Sequence, residues 1–260
     1  MRRAIVIPVR LESTRLPRKP LLSKTGRYLV QHVYERAVAS GAAERVAIAT
    51  DSEEVRAAGE GFGAEVFMTR ADHVCGTDRI AEVAERELRP QGFELVVNLQ
   101  GDEPEIPGAS LERLFESLEQ NLGTSLSTLA CPLEDEELDQ PDVVKVVFDR
   151  QGRALYFSRA AIPFPRDAGA ASAYRHIGIY GYRIDYLLDF ARREPMPLER
   201  RESLEQLRAL ESGDTIRVIP IEWVPRGIDT PADYEAFLQR CQPESAPSDT
   251  PVTHPSRGGD

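Results

Sequence analysis

Cysteine, histidine and lysine are all scarce in this chain: three Cys, four His and three Lys among 260 residues. Cys75, Cys131 and Cys241 lie far apart and the histidines are scattered, so neither a structural zinc site nor a disulfide framework is expected. The thiols point instead to a reducing cytoplasm. Long hydrophobic runs are also missing. The apolar stretches are strand-sized, too short to span a bilayer. Met1-Arg2-Arg3 followed by the apolar run 4–9 imitates a secretory leader, but Pro8 interrupts the run, Arg10 ends it and no small-residue cleavage site follows. A buried first strand explains it better. Positive charge is in deficit as well: a net charge of −11 argues against general nucleic-acid binding.

What is present fits a soluble α/β protein. Hydrophobic residues make up 41% and charged residues 29%, and 260 residues suffice for one large α/β domain or two small ones. Residues 4–8 read as a strand and 29–40 as a helix closed by Gly41. Strand patterns follow at 45–49, 65–67 and 94–99, with helices from 52, over 78–88 and over 109–120. This alternation predicts a doubly wound, mainly parallel sheet with helices on both faces. The stretch 125–182 changes character. Segments 125–132, 143–149, 154–162 and 174–182 all look like strands, and Gln151-Gly152 fits a hairpin turn, so a smaller, more antiparallel lobe is expected. Helices return at 184–192 and 198–211, then a strand at 215–223 and a helix at 231–240. The expected organisation is one domain over 1–241 and a disordered Pro/Ser/Asp/Thr/Gly-rich tail over 242–260.

Charge is unevenly placed. Residues 1–27 hold eight basic side chains and one acidic, Glu12, within an otherwise acidic chain. Such a cluster is either a solvated charge run or a grip on a small polyanion. Its heart is Arg10-Leu11-Glu12-Ser13-Thr14-Arg15-Leu16-Pro17-Arg18-Lys19-Pro20, directly after the first strand, and doubly wound sheets gather ligands at the carboxyl ends of their strands. The loop lacks the glycines of a Walker A sequence and of a dinucleotide fingerprint. Arg10, Ser13, Arg15 and Lys19 could supply the donors a triphosphate needs. Where arginine is used almost everywhere, a retained lysine suggests a role for its compact ammonium, which favours Lys19.

The pattern R-x-x-S-T-R-L-P-x-K-P resembles the signature loop of sugar nucleotidylyltransferases, of the 3-deoxy-manno-octulosonate (KDO) cytidylyltransferase family in particular. Eight further segments resemble that family in order: Ala49-Thr50-Asp51, Met68 to His73, Cys75 to Arg79, Asn98 to Pro104, Tyr156 to Ala160, His176 to Tyr180, Leu204 to Arg208 and Gly227 to Thr230. The resemblance implies transfer of CMP from CTP to the anomeric hydroxyl of KDO, for lipopolysaccharide or a related glycan. It implies CTP contacts from Arg10, Ser13, Arg15, Lys19, Cys75, Thr77, Arg79 and Asp102. It implies sugar contacts from Gln100, Arg159, His176, Tyr180, Glu205 and Gln206. Asp102 and Asp229 would hold Mg²⁺, and Arg15, Lys19 and both aspartates would carry the catalysis. A homodimer, formed through the middle stretch, is also implied.

Each residue keeps a plainer reading. Asp102 follows a strand, where Asp can simply start a turn, or can bind metal in a glycosyltransferase. His176 alone would be a satisfied structural histidine, and Glu205 and Gln206 exposed helix residues. Lys145 sits in an apolar strand pattern with its direction open. Asp229 is more constrained: Thr230-Pro231-Ala232-Asp233 already forms a helix start, which leaves Asp229 free for another task. The sequence departs from the family pattern at Arg18, where glycine is usual, at Tyr28, where proline is usual, and at Cys75, where serine is usual. These departures leave open another acid sugar, such as an amino-substituted octulosonate or a sialic-type acid.

Overall fold

The apolar N-terminal run forms β1 (Arg3–Val9), in which Ala4, Ile5, Val6 and Ile7 are all fully buried. That is the signature of a strand covered on both faces. The computed structural model describes residues 1–13, 15–166, 173–222 and 226–241, so Thr14 and the expected tail at 242–260 lie outside the described residues. After β1 the chain runs through α1 (Leu29–Ala39), β2 (Arg45–Thr50), α2 (Glu53–Gly61), β3 (Glu65–Met68), α3 (Gly76–Val83), β4 (Leu95–Asn98) and α4 (Gly108–Gln120). There follow β5 (Leu126–Pro132), β6 (Lys145–Phe148), β7 (Ala154–Ser158), β8 (Tyr174–Arg183), α5 (Ile184–Phe190), α6 (Pro197–Glu202), α7 (Gln206–Glu211), β9 (Ile216–Pro220) and α8 (Pro231–Cys241).

The sheet order is β3-β2-β1-β4-β8-β5-β9. Strands β1 to β4 are parallel to one another, β8 is antiparallel to both β4 and β5, and β9 is parallel to β5. Alternation along β1 divides the core. Ile5, Ile7 and Val9 face the side covered by α1, α2 and α4, while Ala4 and Val6 face α3, α5 and α7. The architecture is therefore doubly wound, as the strand–helix alternation predicts.

The middle stretch is antiparallel, but it shares its two long strands, β5 and β8, with the central sheet. A register shift at Thr128/Leu129 bends β5, and β6 and β7 extend from the N-terminal end of β8. The hairpin then returns to β9: Arg153 bridges Arg217, and the Val218 N–H donates to the Gly152 carbonyl at 2.7 Å. Strands β9, β5, β8, β6 and β7 thus curl almost into a barrel on one end of the sheet. Other differences have local causes. The helix expected over 198–211 is two helices, because Ser203 takes φ +53 between α6 and α7. The strand expected over 154–162 ends at Ser158, where the Ser158 hydroxyl and the Arg159 N–H both turn to the Glu202 carboxylate. Arg18 holds φ +56, a conformation that favours glycine, and Tyr28 holds φ −65, the value proline enforces.

Gly152 carries the barrel-like closure. It has φ +76, and a Cβ there would lie 3.0 Å from the Val218 carbonyl oxygen. Gly152→Ala should lower unfolding free energy by about 2 kcal/mol in urea titrations, combining left-handed strain with the close approach. Gly123→Ala, with nothing within 4 Å of its Cβ position, should stay near wild type.

Candidate active site

The loop after β1 and the segment after β4 meet at the carboxyl edge of the sheet. Between them lies a cavity of about 350 Å³ whose lining includes Arg10, Ser13, Arg15, Lys19, Gln100, Asp102 and Asp229. Its floor is an ion cluster. The Lys19 ammonium donates to Asp102 at 2.7 Å and to Asp229 at 3.0 Å, and the Arg15 guanidinium reaches Asp229 at 3.1 Å. Burial alone would lower the lysine pKa; the two carboxylates outweigh it and hold Lys19 above its ordinary value.

Residues far apart in sequence meet here because a small apolar cluster locks their backbones. Leu16 from the loop, Leu29 from α1, Ile228 beside Asp229, and Tyr234 and Phe237 from α8 pack together. The Ile228 N–H also donates to the Asp102 carbonyl at 3.0 Å. Helix α8 begins as the sequence predicts: the Thr230 side chain accepts from the Asp233 N–H, and Asp233 accepts from the Thr230 N–H and hydroxyl. Asp229 therefore has no part as the helix cap and faces Lys19 and Arg15.

The pair suits a hard divalent cation. Two carboxylates converge, and beside them Glu103 has a buried Oε2 with no protein partner. Burial and the neighbouring Asp102 push the Glu103 carboxyl up to about 8. Gly227 packs closely against this side chain, since a Cβ there would stand 3.0 Å from Glu103 Oε1. Among the described residues no group of three or more His, Cys, Asp or Glu side chains is arranged to hold a metal unaided. Magnesium fits that donor set, since it takes one or two carboxylates and completes its shell with phosphate oxygens and water.

Helix α3 starts against the same edge, with Gly76 on the Pro8 ring. Thr77 donates to Glu205 at 2.9 Å, and the Cys75 thiol lies 3.6 Å from the same carboxylate. Burial, then Glu205, pushes the thiol up to about 12, so Cys75 is neutral at physiological pH. Glu205, expected at the sugar, thus contacts two residues expected at CTP. Gln206 is buried and its Nε2 has no protein partner. On the adjoining strands Gln100 donates to Asn98 at 3.0 Å, Asn98 pairs with Tyr180 across the β4–β8 ladder, and the Tyr180 ring lies 5.4 Å from His176. His176 Nε2 is 3.0 Å from the Thr128 hydroxyl, whose proton goes to the carbonyls of Ile177 and Ile179. Thr128 must then accept from Nε2–H, leaving Nδ1 as a bare acceptor. Burial pulls the ring down to about 3, so it is neutral.

Two arginines stand elsewhere than expected. The side chain of Arg79 is fully buried; its guanidinium bonds Asp51 at 2.9 Å and the Thr69 hydroxyl. It ties the ends of β2 and β3 to α3 and does not line the cavity. Arg159 gives its guanidinium to the carbonyls of Pro141, Glu202 and Ser203, which anchors the turn just before Glu205. Lys145 is equally committed: its buried ammonium donates to the carbonyls of Gln140, Val143 and Arg159 at 2.7–2.9 Å. Of the eight basic residues in 1–27, only Arg10, Arg15 and Lys19 line the cavity. Arg2, Arg3, Arg18, Lys24 and Arg27 pair with glutamates away from it. Asn98, Glu103 and Thr128 adjoin the expected site residues, and the sequence does not single them out. The first two stand inside the matched segment at 98–104, while nothing local marks Thr128.

A doubly wound sheet with a cationic loop and converging aspartates at its strand ends defines a nucleotide-sugar type of transferase scaffold. The family model described as cytidylyltransferase matches residues 4–216. A 3-deoxy-manno-octulosonate cytidylyltransferase of Syntrophobacter fumaroxidans is 48% identical, covering 92% of this chain and 96% of that protein. One of Halorhodospira halophila is 49% identical, again covering 92% and 96%. The solved structure of CMP:2-keto-3-deoxy-manno-octonic acid synthetase complexed with CTP superposes with a TM-score of 0.88 at 39% identity, covering 92% of this chain and 98% of that one. The chain belongs to the 3-deoxy-manno-octulosonate cytidylyltransferase family and is a nucleotidyltransferase.

The neutral state of His176 is directly measurable. Its ¹⁵N ring shifts should report the Nε2–H tautomer without titration from pH 5 to 8, the range in which an ordinary histidine titrates. A midpoint near 6.5 would contradict the buried Thr128 contact.

Proposed function

We propose that the protein transfers CMP from CTP to the anomeric hydroxyl of KDO and releases pyrophosphate. The observation that carries this reading is the Lys19 bridge between Asp102 and Asp229 in a cavity also lined by Arg10 and Arg15. The names of the relatives, and the CTP in the related structure, support the choice of nucleotide and sugar. The sugar hydroxyl oxygen attacks the α-phosphorus of CTP and gives up its proton to water, and the bond from the α-phosphorus to the oxygen shared with the β-phosphorus breaks. Arg10, Arg15 and Lys19 bind the phosphate oxygens, and Arg15 and Lys19 neutralise charge that develops on the departing pyrophosphate. Asp102 and Asp229 would hold magnesium, which would supply Lewis-acid chemistry at the phosphates.

Acceptor residues come from the other side of the same edge. Gln100, Tyr180, Glu205 and Gln206 offer polar groups for sugar hydroxyls, and His176 offers a neutral Nδ1 acceptor. Gln206 has particular weight, because a buried amide with no partner is costly unless a ligand satisfies it. Among the described residues no helix is long and apolar enough to cross a membrane. The three free thiols favour the cytoplasm. A homodimer through the 125–182 stretch remains part of the proposal; Leu155 and Phe164 are exposed apolar side chains there.

Pyrophosphate release should be seen with CTP, KDO and Mg²⁺, and should be much slower with UTP, ATP or GTP. Equal use of all four nucleotides, or no turnover with any 2-keto-3-deoxy acid, would sink the reading. The two aspartates give a sharper test. Asp102→Asn and Asp229→Asn should each cost about 100-fold or more in kcat/KM and raise the Mg²⁺ requirement. The double variant should lose little beyond the worse single, because groups on one ion act as a unit. Fully multiplicative losses would separate the two carboxylates.

A further inference from the structure

Arg10 differs from the other two cations lining the cavity. Lys19 and Arg15 are paired with aspartates, whereas among the described residues Arg10 has no ion pair. Its guanidinium donates instead to the main-chain carbonyl of His73, in the loop between β3 and α3. A neutral carbonyl orients the guanidinium and leaves its charge uncompensated. That carbonyl is itself held from below. The His73 ring Nε2 is 2.6 Å from Glu82 of α3, and both side chains are largely buried, at 6% and 14% exposure. Glu82 also accepts from the Arg70 N–H at 3.0 Å and from Arg86 at 2.6 Å. Burial pushes the Glu82 carboxyl up, but these donors outweigh it and hold it at about 2, so it is an ionised acceptor and His73 must donate.

We infer that the buried Glu82–His73 pair is a positioning device for CTP: it fixes the 70–75 loop on α3 so that the His73 carbonyl aims the Arg10 guanidinium at the phosphates. The residues are positioning groups, since neither lines the cavity that Arg10 shares with Lys19. The inference rests on the reading of that cavity as the triphosphate site. It goes further in making nucleotide affinity depend on a carboxylate that never meets the nucleotide. Glu82 acts through two joints, ring to carboxylate and carbonyl to guanidinium, so its loss should be felt by CTP and not by the sugar acid.

The test is a kinetic cycle on the full-length protein with CTP, KDO and Mg²⁺. Arg10→Ala should raise KM for CTP about tenfold. Glu82→Gln, and independently His73→Gln, should raise it about three- to tenfold, leaving KM for KDO and kcat within about twofold. On an Arg10→Ala background neither should add a further effect, since the device then has nothing to aim. Arg86→Ala, which removes an exposed partner of Glu82 without touching the loop, should leave KM for CTP unchanged. The inference is overturned if both Gln variants keep wild-type KM for CTP. It is overturned equally if their effects multiply fully with Arg10→Ala, or if kcat and both KM values shift together, as a merely loosened fold would produce. A wild-type protein that does not turn over CTP at all would instead overturn the functional reading, and this inference with it.

Discussion

One ammonium group between two carboxylates organises the carboxyl edge of this protein. Asp102 and Asp229 lie 127 positions apart, and two like charges would repel at such range without Lys19 between them. Lys19 is itself exposed to only 16%, so its ammonium has little help from water. It persists because the backbones on all three sides are fixed independently: β4 in the middle of the sheet, α8 by its own cap, and the loop by Leu16 in the apolar cluster with Ile228 and Phe237. The ammonium and both carboxylates are thus pre-placed by parts of the structure that need not move.

The sheet and the loop were legible in the sequence because each depends on local pattern. The apolar run of β1, the strand–helix alternation, the cationic loop after β1 and the Thr230–Asp233 helix start all appear where periodicity and cap chemistry put them. Side-chain destinations were less legible. Arg79 stands in a motif that implies CTP, yet Asp51 and Thr69 capture it, and those partners come from two other strand ends. The same holds for Arg159, whose guanidinium meets the carbonyls of Pro141, Glu202 and Ser203, from two segments distant from it in sequence. The antiparallel stretch was read as strands correctly, but no local signal tells a strand which sheet it will join. The sharing of β5 and β8 follows from their pairing with β4 and β9, a tertiary fact.

The use of cations follows one rule of shape. Arginine's planar fork ties carboxylates and spaced carbonyls at the surface and between elements, as in Arg3 with Glu112 and Glu119 or Arg208 with Glu199. Lysine is kept at two places where a compact head must sit inside a ring of oxygens. At Lys145 three carbonyls surround the ammonium, matching its three hydrogens; at Lys19 the oxygens are those of two carboxylates. Two of the three lysines thus sit where a compact ammonium meets converging oxygens.

The scarcity of lysine also shapes how the molecule presents itself to reagents. Lys145 is fully buried and Lys19 is 16% exposed within its ion cluster, while Lys24 is 64% exposed, bonded to Glu235 on α8. Apart from the chain's own α-amine, amine-directed chemistry finds a single side-chain address, on the segment leading into α1 and clear of the cavity lining. Tethering, biotinylation or acylation at that address would attach the protein in one orientation. The amine-poor surface is, in effect, a built-in handle.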